Sequence, residues 1–330
     1  MSRGAAKRAY PGCRYASLND FFMADLRDQT LSFRIRREWP AYLYLLPTTL
    51  VLLFLNAYPI AYTIYVSLTD FGTGGRFSLL TYHYVGLSNY VYAFTVNSSV
   101  SWSLIFNSLF WAGGSVAFFL AIGLGLATVL NQEIRGKTVY RTLIMLPWAM
   151  PAFITILIWA NMWQYNYGII NGMLSYVGVA PVDWLQHTDT AWAALFITNI
   201  WLSFPFYTVV FLSTMQSIPK DLYEAASIDG AGMLSKFGRI TLPYLMPTIV
   251  FVGLMGFLFT FNNFYPIYLI TNGNPGSTTA IFITQSYNDA FGGSPAFSTA
   301  AMYAVLDFLI IVAITVVVLW RTNITRNWLK

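Results

Sequence analysis

The chain has 330 residues, of which 57% are hydrophobic, 18% aromatic and only 9% charged. A soluble domain carries about 25% charged residues, so this composition excludes an ordinary water-soluble globule and points to lipid as the solvent. The net charge of +5 is confined to a few segments, which argues against a nucleic-acid partner; the single cysteine, Cys13, excludes an intrachain disulfide, and two histidines, His83 and His187, leave little for a metal or histidine-based catalytic centre.

Residues 1–40 form a basic segment carrying Arg3, Lys7, Arg8, Arg14, Arg27, Arg34, Arg36 and Arg37. Within it, Leu18–Trp39 mixes Phe21, Phe22, Leu26, Leu31, Phe33 and Ile35 with arginines, a pattern that fits an amphipathic helix on the inner leaflet. The remainder, 41–330, holds six stretches that meet the requirement of about 20 apolar residues for a membrane-crossing helix. They are Ala41–Ser67, Trp102–Leu130, Thr142–Met162, Thr190–Met215, Tyr244–Ile270 and Ala301–Trp320. The first is longer than the core of a signal peptide, roughly 7–15 residues, and is expected to be a retained anchor. Gly113, Ala117, Ala121 and Gly125 recur every fourth residue in the second stretch and predict a close helix–helix contact.

Cytoplasmic loops collect lysine and arginine. The N-terminal segment, the loop after the second stretch (Arg135, Lys137, Arg141), the loop after the fourth (Lys220, Lys236, Arg239) and the C-terminus (Arg321, Arg326, Lys330) account for every basic residue but Arg76. The expected protein is therefore all-α, crosses the bilayer six times and keeps both termini in the cytoplasm. The positive charge reads as a topology signal.

The loop after the fourth stretch is the most informative. Pro219 suits the start of a helix, Asp221 and Glu224 sit where the helix dipole favours acids, and Leu222, Ala225 and Ala226 fall on one face. Gly230 suits the left-handed residue that ends such a helix. A second short helix over Met233–Arg239, stopped near Pro243, is expected to follow. This spacing, Glu224-Ala225-Ala226, then Gly230, then Ile240-Thr-Leu-Pro243, resembles the EAA loop of ABC importer permeases. The resemblance implies a coupling helix that docks on a cytoplasmic ATPase, with Glu224 contacting that partner, Gly230 making the turn and Asp229 beside it. Asn199-Ile-Trp-Leu-Ser-Phe-Pro-Phe206, Phe259-Thr-Phe-Asn-Asn-Phe264 and Leu269-Ile-Thr-Asn-Gly-Asn-Pro-Gly276 are similar to segments of maltose-type permeases. By that resemblance the substrate-binding set is Asn199, Leu202, Ser203, Phe206, Gly256, Phe259, Thr260 and Asn263.

Neutral amides and ring faces are what a sugar needs at membrane depth, where charge is expensive. Asn199, Ser203 and Phe206 share one helix face, and Phe259 and Asn263 another, so two facing stripes are expected. Thr260, Ser203 and Phe206 stand where maltose permeases of this type carry Asn, Gly and Tyr, which leaves trehalose, other oligosaccharides or a polyol open. The resemblance further implies a second homologous permease subunit, two ATP-binding subunits and an extracytoplasmic solute-binding protein. ATP and magnesium would sit in the ATPase, with no cofactor or metal on this chain. Gly136-Lys137-Thr138 mimics the tail of a phosphate-binding loop, but Asn131 stands where its first glycine belongs. Asp307 is the one acid well inside a span. A secondary transporter would need more such groups, and a glycerol-phosphate permease would need basic ones in the site.

Overall fold

The computed structural model describes residues 31–72, 82–133 and 135–322, and the proposed interfacial helix before Leu31 lies outside them. Among the described residues the chain is helical, with a lone antiparallel bridge between Thr69 and Tyr84. It divides into two units, residues 1–62 and 63–330.

In the first unit, α1 (Leu31–Leu52) passes through a widened turn at Leu53–Ala57 into α2 (Tyr58–Ser67). The Tyr58 N–H reaches back five residues to the Leu53 carbonyl. A proline ring clashes with the carbonyl four residues before it, and the wide turn just ahead of Pro59 relieves that clash. Helix therefore runs unbroken from Leu31, through the junction expected at Ala41.

In the second unit the last turn of α2 is clamped to α3 (Ser88–Thr95): Asn89 Nδ2 donates to the Ser67 and Thr69 carbonyls at 2.8 Å each. The long α4 (Ser98–Leu130) follows. Next come α5 (Lys137–Ala149) and α6 (Ala152–Met162), which meet at 88°. The stretch expected as one continuous span over Thr142–Met162 is therefore bent at nearly a right angle. Pro151 offers no N–H, and Met150 before it is pushed to extended backbone, φ −82° and ψ 144°.

Helix α7 (Ile169–Tyr176) precedes α8 (Thr188–Gln216), which stays continuous through Pro205. The loop helices are α9 (Lys220–Ile228) and α10 (Met233–Lys236). Here too the expectation is corrected. Instead of stopping near Pro243, α10 leads through a wide turn at Phe237–Thr241 into α11 (Leu242–Phe261). The Leu242 N–H again reaches back five residues, to Phe237, directly ahead of a proline. The fifth apolar stretch thus begins at Met233 and ends at Phe261; α12 (Phe264–Pro266) and a wide turn at Ile267–Thr271 come after a break. Helices α13 (Phe282–Phe291) and α14 (Phe297–Thr322) complete the unit. Among the described residues, five helices are long and apolar enough to cross a membrane, or six counting the bent pair.

Helix α4 packs chiefly on α8 and α11. The contact differs from the one the small-residue stripe predicted. An added Cβ at Gly113 or Gly125 would meet nothing within 4 Å, while at Gly123 it would lie 2.6 Å from Tyr207 Cβ and 3.1 Å from Thr208 N. The interior face is Trp111, Ser115, Phe119, Gly123 and Ala127, and the Ala117–Gly125 stripe is open. Four-residue spacing identifies a smooth face without saying what lies against it.

Candidate functional site

Asn199 on α8 is 1% exposed, and its amide nitrogen donates to Ser115 Oγ of α4 at 3.1 Å. Its carbonyl oxygen accepts from Asn263 Nδ2 at 3.2 Å. One polar chain thus joins α4, α8 and the break after α11. That break is local in origin: Asn262 leaves helical geometry at φ −98°, ψ 15°, and Asn263 starts α12 at φ −80°, ψ 88°. Asn263 is half-buried and keeps accessible surface, with Asn199 behind it.

The remaining residues of the expected set divide. Leu202 and Ser203 are half-buried, Phe206 is 42% exposed and Phe259 76%. Gly256 and Thr260, one turn apart, belong instead to the packed face of α11. A Cβ at Gly256 would collide with the Tyr207 hydroxyl, and Thr260 is 5% exposed. Asn199 and Asn263 do meet, but Phe259 and Asn263 do not share the expected helix face, because α11 ends at Phe261 and Asn263 stands beyond the break; Gly256 and Thr260 contribute packing. Sequence reasoning missed Trp148, which lies 6.3 Å from Phe206 ring to ring and is 54% exposed. The signal was present in Leu146-Pro-Trp-Ala-Met-Pro151, whose paired prolines break the span beside it. The Asn263 amide and the exposed rings of Trp148 on α5, Phe206 on α8 and Phe259 on α11 are neutral hydrogen-bonding and apolar faces of the kind that suits a polyhydroxylated ligand. Among the described residues no cluster of three metal-ligating side chains occurs.

In the loop between α8 and α11, Pro219 stands just before α9, and the helix ends in a full Schellman motif. Gly230 has φ +77°, its N–H bonds the Ser227 carbonyl at 3.1 Å, and Ala231 N–H bonds that of Ala226 at 2.8 Å. Two anchors hold α9: the Tyr223 hydroxyl shares a 2.8 Å hydrogen bond with Thr241 Oγ1, and Lys236 Nζ donates to Ser227 Oγ at 2.7 Å. Glu224, Ala225, Asp229 and Gly230 are exposed, and Ala226 is half-buried. Beside them Ile228 and Leu234 are 88% and 87% exposed, an apolar pair the sequence reading passed over. Inside α14, Asp307 is 8% exposed, and its Oδ1 has no hydrogen-bond partner among the described residues.

A family model described as "Binding-protein-dependent transport system inner membrane component" matches residues 120–326. The trehalose/maltose transport system permease protein MalF of Thermococcus litoralis is 32% identical over 290 residues, 88% of this chain and 96% of that protein. The maltose/maltodextrin permease protein MalF of Escherichia coli K12 is 38% identical over 234 residues, 67% of this chain but 44% of that longer protein. A solved bacterial alginate ABC transporter, in complex with its pentasaccharide-bound periplasmic protein, aligns with TM-score 0.74 and 25% identity over 91% of this chain and 98% of its own. The chain belongs to the family of inner-membrane components of binding-protein-dependent transport systems.

Proposed function

We propose that this chain is one permease subunit of an ATP-driven importer that carries a di- or oligosaccharide handed over by an extracytoplasmic binding protein. The observation that carries the reading is the Asn199–Asn263 amide pair, with Asn263 left partly accessible, in a chain whose relatives are named as maltose, maltodextrin and trehalose permeases. In this reading the six spans comprise α1–α2, α4, the bent α5–α6 pair, α8, α10–α11 and α14, with both termini cytoplasmic. A second, homologous permease subunit packs against this one, and the open small-residue face of α4 is suited to such a contact.

Coupling follows from α9. Its exposed Glu224–Ala225 edge, with Ile228 and Leu234, enters a cleft on one of two ATPase subunits, which hold ATP and magnesium. The Tyr223 and Lys236 anchors transmit the ATPase's movement to α11 as displacement of a rigid unit. Sugar recognition rests on Asn263, Ser203, Leu202 and the rings of Phe206, Phe259 and Trp148. Asn199 positions the Asn263 amide, and Gly256 and Thr260 set the helix spacing beneath.

The test is ATP hydrolysis by the complex copurified with this chain, reconstituted in liposomes with its binding protein. Stimulation by maltose, malto-oligosaccharides or trehalose, and none by glycerol-3-phosphate or amino acids, is the expected result. Absence of any copurifying ATPase would overturn the importer reading.

A further inference from the structure

A second set of rings lies outside the amide site and is not used by it. Phe264 directly follows Asn263, and its ring stacks on Tyr268 at 4.6 Å. Tyr287 of α13 closes on both, 4.8 Å from Phe264 and 5.0 Å from Tyr268. Phe291, one turn further along α13, lies 5.1 Å from Tyr287. The first two rings are half-buried and brace the third; the open surface is that of Tyr287, 38% exposed, and Phe291, 70% exposed.

Next to these faces stands an amide pair. Asn288 Nδ2 donates to Asn272 Oδ1 at 3.3 Å, on the surface, which leaves the other amide atoms of both residues open to a ligand. The pattern of the inner site is thus repeated: ring faces flanked by neutral donors and acceptors, without a basic side chain among them. It is joined to that site through Phe264.

We propose that Tyr287 and Phe291, with Asn272 and Asn288, form an outer carbohydrate subsite. It takes a pyranose ring of a chain whose leading residues reach the Asn263 site. Ring faces attract the apolar face of a pyranose while the amides meet its hydroxyls. A disaccharide is held at the inner site alone; a longer glycan spans both. The subsite therefore sets a preference for chain length, separate from the choice of sugar. The inference rests on the carbohydrate reading above.

The experiment compares a disaccharide with a malto-hexasaccharide as stimulants of ATP hydrolysis and uptake in the reconstituted full complex with its binding protein. The proteins are the wild type, the Tyr287→Ala/Phe291→Ala double variant and the conservative Tyr287→Phe/Phe291→Tyr. The double variant is expected to need roughly three- to tenfold more hexasaccharide for half-maximal uptake. Its disaccharide response stays at wild-type level, which also reports that it folds, and the conservative variant behaves as wild type. Equal losses for both sugars, or no loss for either, would overturn the outer subsite while leaving the importer intact. A wild-type complex indifferent to both sugars would remove the carbohydrate reading itself, and this inference with it.

Discussion

Asn263 and Asn199 separate the two things an asparagine does inside a membrane. Asn199 is spent on Ser115 and Asn263, so its removal acts through its neighbour. Asn263→Ala is expected to raise the sugar concentration for half-maximal uptake about tenfold, since a lost hydrogen bond costs about 0.5–1.5 kcal/mol and the buried Asn199 carbonyl left unpaired adds to it. Ser115→Ala should shift it less; an unchanged uptake curve for Asn263→Ala would leave that residue a packing role only. Tyr207 offers a sharper case, because its hydroxyl lies against Gly256 and its Cβ against Gly123. Gly256→Ala drives a methyl into the hydroxyl and should cost about 1–3 kcal/mol. Tyr207→Phe should restore much of that loss in a double-mutant cycle of thermal stability. Gly123→Ala, which meets Tyr207 Cβ and the Thr208 backbone, should not be rescued. Sequence alone gave the residue types of this site but not their depth. The spacings 256–260 and 259–263 are both four residues, and nothing in them says that Gly256 and Thr260 face protein or that the helix ends at Phe261, short of Asn263.

At the scale of the element, α9 was the most legible part of the chain. Helix start, acid placement and the terminating glycine are all local chemistry, and the Schellman hydrogen bonds follow from a left-handed Gly230. Gly230→Ala should cost about 1–2 kcal/mol of local stability, the penalty of that backbone region for an L side chain. It should reduce coupled ATP hydrolysis while leaving the copurified complex intact. Glu224→Ala is expected to weaken sugar-stimulated hydrolysis and uptake together, with unchanged melting temperature; wild-type levels of both would discard the coupling role. The less legible elements were those where proline acts within a longer helix. Pro243 and Pro59 were accommodated by a wide turn, Pro205 by an unbroken helix, and Pro151 by a right-angled bend. Which remedy is used depends on the neighbours that accept the freed carbonyl, and those are tertiary.

For the whole molecule, hydropathy and the distribution of lysine and arginine made the all-helical membrane architecture readable, because bilayer thickness fixes helix length and loops keep their charge. Hydropathy could not show which helix faces pack within the chain, as the α4 stripe demonstrates. Outside the spans, Asp289 of α13 is expected to give the fold a pH response. Burial lifts its carboxyl from 3.8 to about 6, opposed by the 2.8 Å hydrogen bond from Gln285. A raised carboxyl means that the folded state binds the proton more tightly than the unfolded one. Its contribution is therefore fully present at low pH and is lost as pH rises through about 6. Hydrogen exchange of α13 amides should quicken over that window, and Asp289→Asn should flatten the response.

Phe153, just past the break at Met150–Pro151, lies 5.9 Å from Tyr265, just past the break at Asn262–Asn263. Two interruptions distant in sequence thus come together in space. Backbone released from helical bonding at membrane depth persists only where protein or water satisfies it. The ring contact therefore couples the two interruptions, and Phe153→Ala should loosen both, read as faster amide exchange in Ala152–Met162 and in residues 264–271 alike.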